Sequence, residues 1–150
     1  IVFTGSLMHR QAILNFDDLY HEENYSPMKM YSTTKLMLVM YSHFLGEKLK
    51  SSGIHTHCVD PGAVSTQISR SRGKFFNFMF SFGKFFLTNV KKGSRTNIYA
   101  CVSEEISDKT STYLVKENIG KADEKALIIN DWKQLEKWSV DHLNRLDISL

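Results

Sequence analysis

A tyrosine and a lysine four residues apart, in Tyr31-Ser32-Thr33-Thr34-Lys35, form the pair in this sequence best suited to moving a proton. In a helix that spacing puts both side chains on one face. An ammonium held near a phenol favours the phenolate, lowering a pKa that starts near ~10. A tyrosine tuned in this way trades protons with an alcohol or a carbonyl near neutral pH. The same spacing occurs in many surface helices, so its weight comes from its surroundings. Two segments supply them. Ser6 directly follows the run Ile1-Val2-Phe3-Thr4-Gly5, and Pro61-Gly62-Ala63-Val64-Ser65-Thr66 follows a second apolar run ending at Val59.

The elements that must position these residues are readable from periodicity. Residues 1–5 read as a short strand ending in glycine. Residues 7–27 are polar and irregular, with Pro27 near the end, and read mainly as a long loop; loops of that length are usually functional. From Met28 to Lys50 the pattern is helical, with Leu36, Val39, Met40, Phe44 and Leu45 recurring mostly at spacings of three and four. Gly53 breaks it. Ile54 to Val59 reads as a second strand, closed by Asp60-Pro61-Gly62. Strand, connection with helix, strand is a βαβ unit, which requires a parallel sheet. Parallel α/β folds place their sites at the carboxyl ends of strands. Ser6, the start of the helix and the Pro61-Gly62 turn are all expected there.

Farther along, residues 74–87 are phenylalanine-rich and read as helical. Residues 91–103 read as a helix with Ile98, Tyr99 and Val102 on its apolar side. Thr112 to Val115 is a short β-prone run. Residues 127–145 form an amphipathic pattern through Ile128, Trp132, Leu135 and Trp138, and it weakens at His142.

A chain of 150 residues with 42% hydrophobic content suggests one globular domain, residues 1–150. A net charge of +3 does not by itself call for a nucleic-acid partner. Cys58 and Cys101 lie in apolar runs and read as reduced core residues, without disulfide or zinc spacing. No apolar run is long enough to span a bilayer, and nothing reads as a signal peptide. The sequence opens on Ile1 in mid-strand without an initiator methionine, so it reads as incomplete at its N-terminus.

The ordered motifs resemble the second half of a short-chain dehydrogenase/reductase, and within that superfamily the retinol-dehydrogenase-like members. Ile1 to His9 resembles the family's serine-bearing strand and turn. Phe16-Asp17-Asp18-Leu19 and Tyr25-Ser26 resemble the insert between serine and tyrosine. Tyr31 to Leu36 resembles the catalytic helix. Asp60 to Thr66 resembles the nicotinamide loop, although Asp60 stands where relatives often carry histidine. Lys91-Lys92-Gly93-Ser94-Arg95 resembles a later helix start. The resemblance implies the C-terminal half of a Rossmann-like, doubly wound parallel sheet with flanking helices. It implies hydride transfer between NADP or NAD, with NADP favoured, and a lipophilic alcohol or carbonyl of retinoid, steroid or polyisoprenoid type. By the same resemblance Tyr31 is the general acid/base, Lys35 lowers its pKa and bonds the nicotinamide ribose, and Ser6 holds the reacting oxygen. Pro61 and Gly62 turn the chain beneath the nicotinamide, and Val64 and Thr66 contact its carboxamide. An intracellular place follows, cytoplasmic or peripheral on an internal membrane such as the endoplasmic reticulum. The sequence lacks the glycine-rich turn that cradles a pyrophosphate at a helix N-terminus, as a fragment would.

Other residues have plainer readings. Thr4 serves the sheet. His55 and His57 share a strand face and read as polar strand residues without a metal. His9 and His21 read as surface loop residues. The stretch at about 70–90 has three readings: a lid over a greasy substrate, an interfacial helix on a membrane surface through residues 74–87, or core packing. The missing glycine turn and that basic, Phe-rich stretch also support an alternative function, a non-catalytic or membrane-associated binding protein on a truncated dehydrogenase fold. No nucleic-acid-binding motif accompanies the basic residues.

Overall fold

The computed structural model describes residues 1–62 and 90–146. Val64, Thr66 and the Phe-rich stretch lie outside the described residues.

Four strands form one sheet in the order β1 (Val2–Thr4), β2 (His57–Asp60), β3 (Thr112–Val115), β4 (Asn118–Gly120). β1 and β3 both run parallel to β2, with Thr4 opposite Val59 and Asp60 opposite Val115. β2 is buried along its whole length, and its side chains alternate between two cores. Cys58 joins Leu36, Val39, Met40, Tyr113 and Leu135 on one face. Val59 joins Leu114, Ala100 and Ile106 on the other. A strand covered on both faces belongs to a layered α/β fold. The long helix α1 (Pro27–Leu49) and the last helix α4 (Ile129–Arg145) cover the first face, and α3 (Arg95–Val102) covers the second. The expected Rossmann-like α/β half-fold is therefore present.

α1 starts where its sequence dictates. Pro27 occupies the first turn, where its missing N–H costs nothing. Leu36, Val39, Met40, His43 and Gly46 form the buried face at spacings of three and four. A short 3-10 turn (Lys50–Ser52) prolongs it to Gly53, whose φ of +69° only glycine adopts at no steric cost.

Several expectations are corrected. Asp60 is the last residue of β2 rather than part of the turn. The loop after β1 opens with a 3-10 turn, Leu7–Gln11, and His9 within it is fully buried rather than on the surface. The helix expected over 91–103 is two pieces, α2 (Val90–Gly93) and α3, separated at Ser94. Ile98 and Val102 do not line its buried side, being 56% and 73% exposed; Thr96 and Ala100 do. Cys58 is buried as expected, but Cys101 is exposed. β4 has no counterpart in the sequence reading and pairs antiparallel with β3. His142 continues α4's aromatic ridge, stacked on Trp138 with centroids 5.2 Å apart and planes 7° apart. Among the described residues no helix is long and apolar enough to cross a membrane.

Candidate active site

Tyr31 and Lys35 lie near the start of α1 and are both half-buried. The helix puts them on one face, and the Lys35 ammonium sits 5.7 Å from the centre of the Tyr31 ring. At that range a cation is attracted to the ring's quadrupole. Lys35 Nζ also donates to the carbonyl of Thr4, at 2.9 Å. Thr4 ends β1, two residues before Ser6. One lysine therefore ties the Tyr31 turn of the helix to the end of the strand that delivers Ser6.

Ser6 has extended backbone and caps the 3-10 turn, its Oγ accepting from the Met8 N–H at 3.3 Å. A hydroxyl that accepts this bond still has its proton to donate. The end of β1 is locked to β2 by the Gly5 N–H donating to the Val59 carbonyl, at 2.7 Å. A side chain on Gly5 would fall 2.8 Å from Cys58 Sγ, so this approach requires glycine.

Beyond β2, Asp60 Oδ1 accepts the Gly62 N–H at 2.9 Å, closing a turn around Pro61. Gly62 has a φ of +71°, and among the described residues, its chain neighbours aside, no atom lies within 4 Å of where its Cβ would stand. The Pro61-Gly62 turn thus lies at the carboxyl edge of the sheet. Ser6 and the Pro61-Gly62 turn follow the carboxyl ends of β1 and β2, and Lys35 ties the start of α1 to the end of β1. Val64 and Thr66 lie outside the described residues.

Three buried residues beneath this edge received no site role from the sequence: His9, Tyr113 and Asp60. Tyr113 OH donates to Asp60 Oδ2 at 3.3 Å and lies 3.4 Å from His9 Nδ1. Burial, then the neighbouring Asp60 charge, pushes the Tyr113 phenol far above its ordinary range. Burial lowers the pKa of His9, against the opposing bond to the Ser6 carbonyl. The signal in the sequence was the spacing of three between Ser6 and His9, which one 3-10 turn brings together. His57 has a structural role, its Nδ1 lying 2.7 Å from Thr112 Oγ1. His21 is pinned to α1 by its Nε2, 2.8 Å from Thr33 Oγ1.

No family model matches the chain. Human polyprenol dehydrogenase is 30% identical over 131 residues, which cover 81% of this chain and 38% of that protein. Human retinol dehydrogenase 11 is 29% identical over 104 residues, 69% of this chain and 32% of that protein. A dehydrogenase/reductase SDR family member from Arabidopsis thaliana, FEY, is 25% identical over 116 residues. An uncharacterized protein of Mycobacterium paratuberculosis has a solved structure that superposes with a TM-score of 0.66 at 18% identity. That match covers 92% of this chain and 47% of the other, and it shows the fold. The chain spans roughly a third of the length of these curated relatives. Over most of its length the chain is thus similar to short-chain dehydrogenase/reductases, the retinol and polyprenol dehydrogenases among them, and it has the half-Rossmann sheet with serine, tyrosine and lysine in the order that this resemblance implies.

Proposed function

We propose that this chain carries the proton-transfer half of an NAD(P)-dependent oxidoreductase acting on a lipophilic alcohol or its carbonyl. One observation carries the reading: Lys35 reaches the Thr4 carbonyl at the end of β1 while its ammonium lies over the Tyr31 ring. That contact ties Lys35 and the Tyr31 turn of the helix to the strand end that leads into Ser6, at the edge where parallel folds bind ligands, and it supports this reading.

The donor set suits the nicotinamide-ribose end of a dinucleotide. Lys35 offers an ammonium for ribose hydroxyls, and Pro61 and Gly62 offer a tight turn beneath a flat ring, with Val64 and Thr66 following. A bound nicotinamide supplies the hydride acceptor or donor. The chain's own residues do the rest. The Ser6 hydroxyl holds the reacting oxygen. Tyr31 takes the hydroxyl proton during oxidation and returns one to the carbonyl oxygen during reduction. Lys35 holds positive charge beside the phenol where negative charge develops. NADP is the favoured cofactor, on family likeness. The substrate class rests on the relatives named for retinol and polyprenol, and the greasiness of such alcohols supports a place at or near an internal membrane surface.

The test is Tyr31→Phe in the intact protein. Turnover should be abolished while dinucleotide binding, followed by fluorescence titration, survives. A variant that still turns over alcohol sinks the mechanism.

A further inference from the structure

His9 sits wholly inside the protein, with a bonded partner on each ring nitrogen. Nδ1 lies 2.7 Å from the Ser6 carbonyl oxygen, which only accepts. Nε2 receives the backbone N–H of Asp123 at 3.0 Å, and that group only donates. The partners therefore fix one form of the ring: neutral, with its proton on Nδ1. The Ser6 carbonyl takes a second bond from the His9 backbone N–H at 3.1 Å, so residue 9 grips residue 6 twice.

Both ends of this strut are anchored. Asp123 caps the following 3-10 turn through Lys125 N–H, and Lys125 Nζ donates to the carbonyls of Ala12 and Arg10 at 2.8 Å and 3.0 Å. On the other side the Tyr113 hydroxyl stands 3.4 Å from Nδ1 and passes its proton-donating bond to Asp60, whose second oxygen holds the Gly62 N–H. Every donor along this line faces an acceptor, so the buried groups are satisfied without a net proton to exchange.

We propose that His9 is a positioning residue: its ring sets Ser6 against the Asp123 backbone and, through Tyr113 and Asp60, keeps the Ser6 turn in register with the Pro61-Gly62 turn. The inference rests on the reading of Ser6 as the group that holds the reacting oxygen. His9 itself touches neither substrate nor cofactor. A displacement of about 1 Å at a reacting group costs on the order of 10²-fold in rate, so a strut of this kind carries kinetic weight.

The test uses the intact protein with retinol and with farnesol as alcohols and NADP and NAD as cofactors. His9→Asn keeps an N–H where Nδ1 stood and restores the bond to Ser6; His9→Leu fills the space without it. His9→Leu should lower kcat by about 10²-fold with dinucleotide Kd unchanged. His9→Asn should recover most of that loss and keep the wild-type pH profile, because residue 9 transfers no proton. Equal loss in both variants, or wild-type kcat in His9→Leu, overturns the proposal. Histidine-selective 15N NMR supplies a readout without turnover: the resonance that disappears in His9→Asn must report the Nδ1–H form, and an Nε2–H form overturns the proposal even if His9→Leu is inactive. Ser6→Ala separates the two readings. Wild-type kcat there removes Ser6 from the chemistry, and the positioning role with it. A dead Ser6→Ala beside an unimpaired His9→Leu overturns the positioning role alone.

Discussion

Cys58 feels the positive charge of Lys35, which by itself would let the thiol ionise and react. It does not, because burial outweighs the neighbouring charge. Loss of hydration pushes its pKa up to about 12, with the Lys35 charge opposing and the Asp60 charge adding. A nucleophilic thiolate needs the opposite balance. Cys101 is exposed on α3. Brief treatment of the native protein with iodoacetamide at pH 8 should therefore modify Cys101 and spare Cys58, as read by peptide mass spectrometry; labelling of Cys58 at the Cys101 rate would contradict its burial. Both cysteines sit in apolar runs, and the sequence made them look alike. What separates them is which face of its element each residue occupies, and one residue's register decides that. Tyr31, Lys35 and Ser6 were legible because chemistry restricts residue type and order at such positions. His9 was not, because a spacing of three from Ser6 is common in polar loops and says nothing of its second partner, a backbone group 114 residues away.

Gly46 shows the same logic for an element. It lies on the buried face of α1, where alanine would improve helix propensity by ~1 kcal/mol. A Cβ there would run into Thr56 Oγ1 and Ser111 Oγ and come within 2.9 Å of Thr110 Oγ1. These hydroxyls are already committed. Thr56 donates to the Ser42 carbonyl at 2.7 Å, Thr110 accepts the Thr56 N–H at 3.1 Å, and Ser111 bonds the His43 carbonyl and Glu47. Overpacking of this kind costs ~1–3 kcal/mol, so it wins. Gly46→Ala should lower the urea midpoint by the equivalent of up to about 2 kcal/mol net of propensity; a rise would mean that the hydroxyls yield freely. α1 itself was readable almost to the residue, since Pro27 and Gly53 bracket a strong period of three and four. β4 was not. Its hairpin turns through Lys116 and Glu117, both at positive φ (51° and 62°), where Asn-Gly or Asp-Gly is the usual signal. Tertiary contacts hold the turn instead: Arg95 pairs with Glu117 at 2.8 Å, and Thr96 Oγ1 accepts the Glu117 N–H at 3.3 Å. α3 misled for a related reason, because its apolar residues Ile98 and Val102 face away from the sheet while Thr96 and Ala100 pack on it.

At the scale of the molecule, the three layers enclose histidines that must stay neutral for the fold to hold. His9, His43 and His57 are 0%, 8% and 5% exposed, and burial is the leading cause lowering the pKa of each. His43 is the plainest case. Its ring stacks on Trp132 at 6.3 Å, and its Nε2 is buried with no hydrogen-bond partner among the described residues. Adding a proton there would bury an unpaired charge. In the unfolded chain each imidazole titrates near ~6.5. Below that pH the unfolded state binds more protons than the folded one, so stability falls as pH falls; above it neither state is protonated and the dependence vanishes. Each histidine contributes up to about 1.4 kcal/mol per pH unit on the acid side. The urea midpoint of the intact protein should rise from pH 5 to about 6.5 and then level off towards pH 8. His43→Phe keeps a ring against Trp132 and removes one titrating group, so it should make the acid limb shallower and leave the plateau's flatness unchanged. A midpoint that is constant across this range, or an acid limb equally steep in His43→Phe, would show that the layers admit protonated imidazole, and the neutral core drawn here would be wrong.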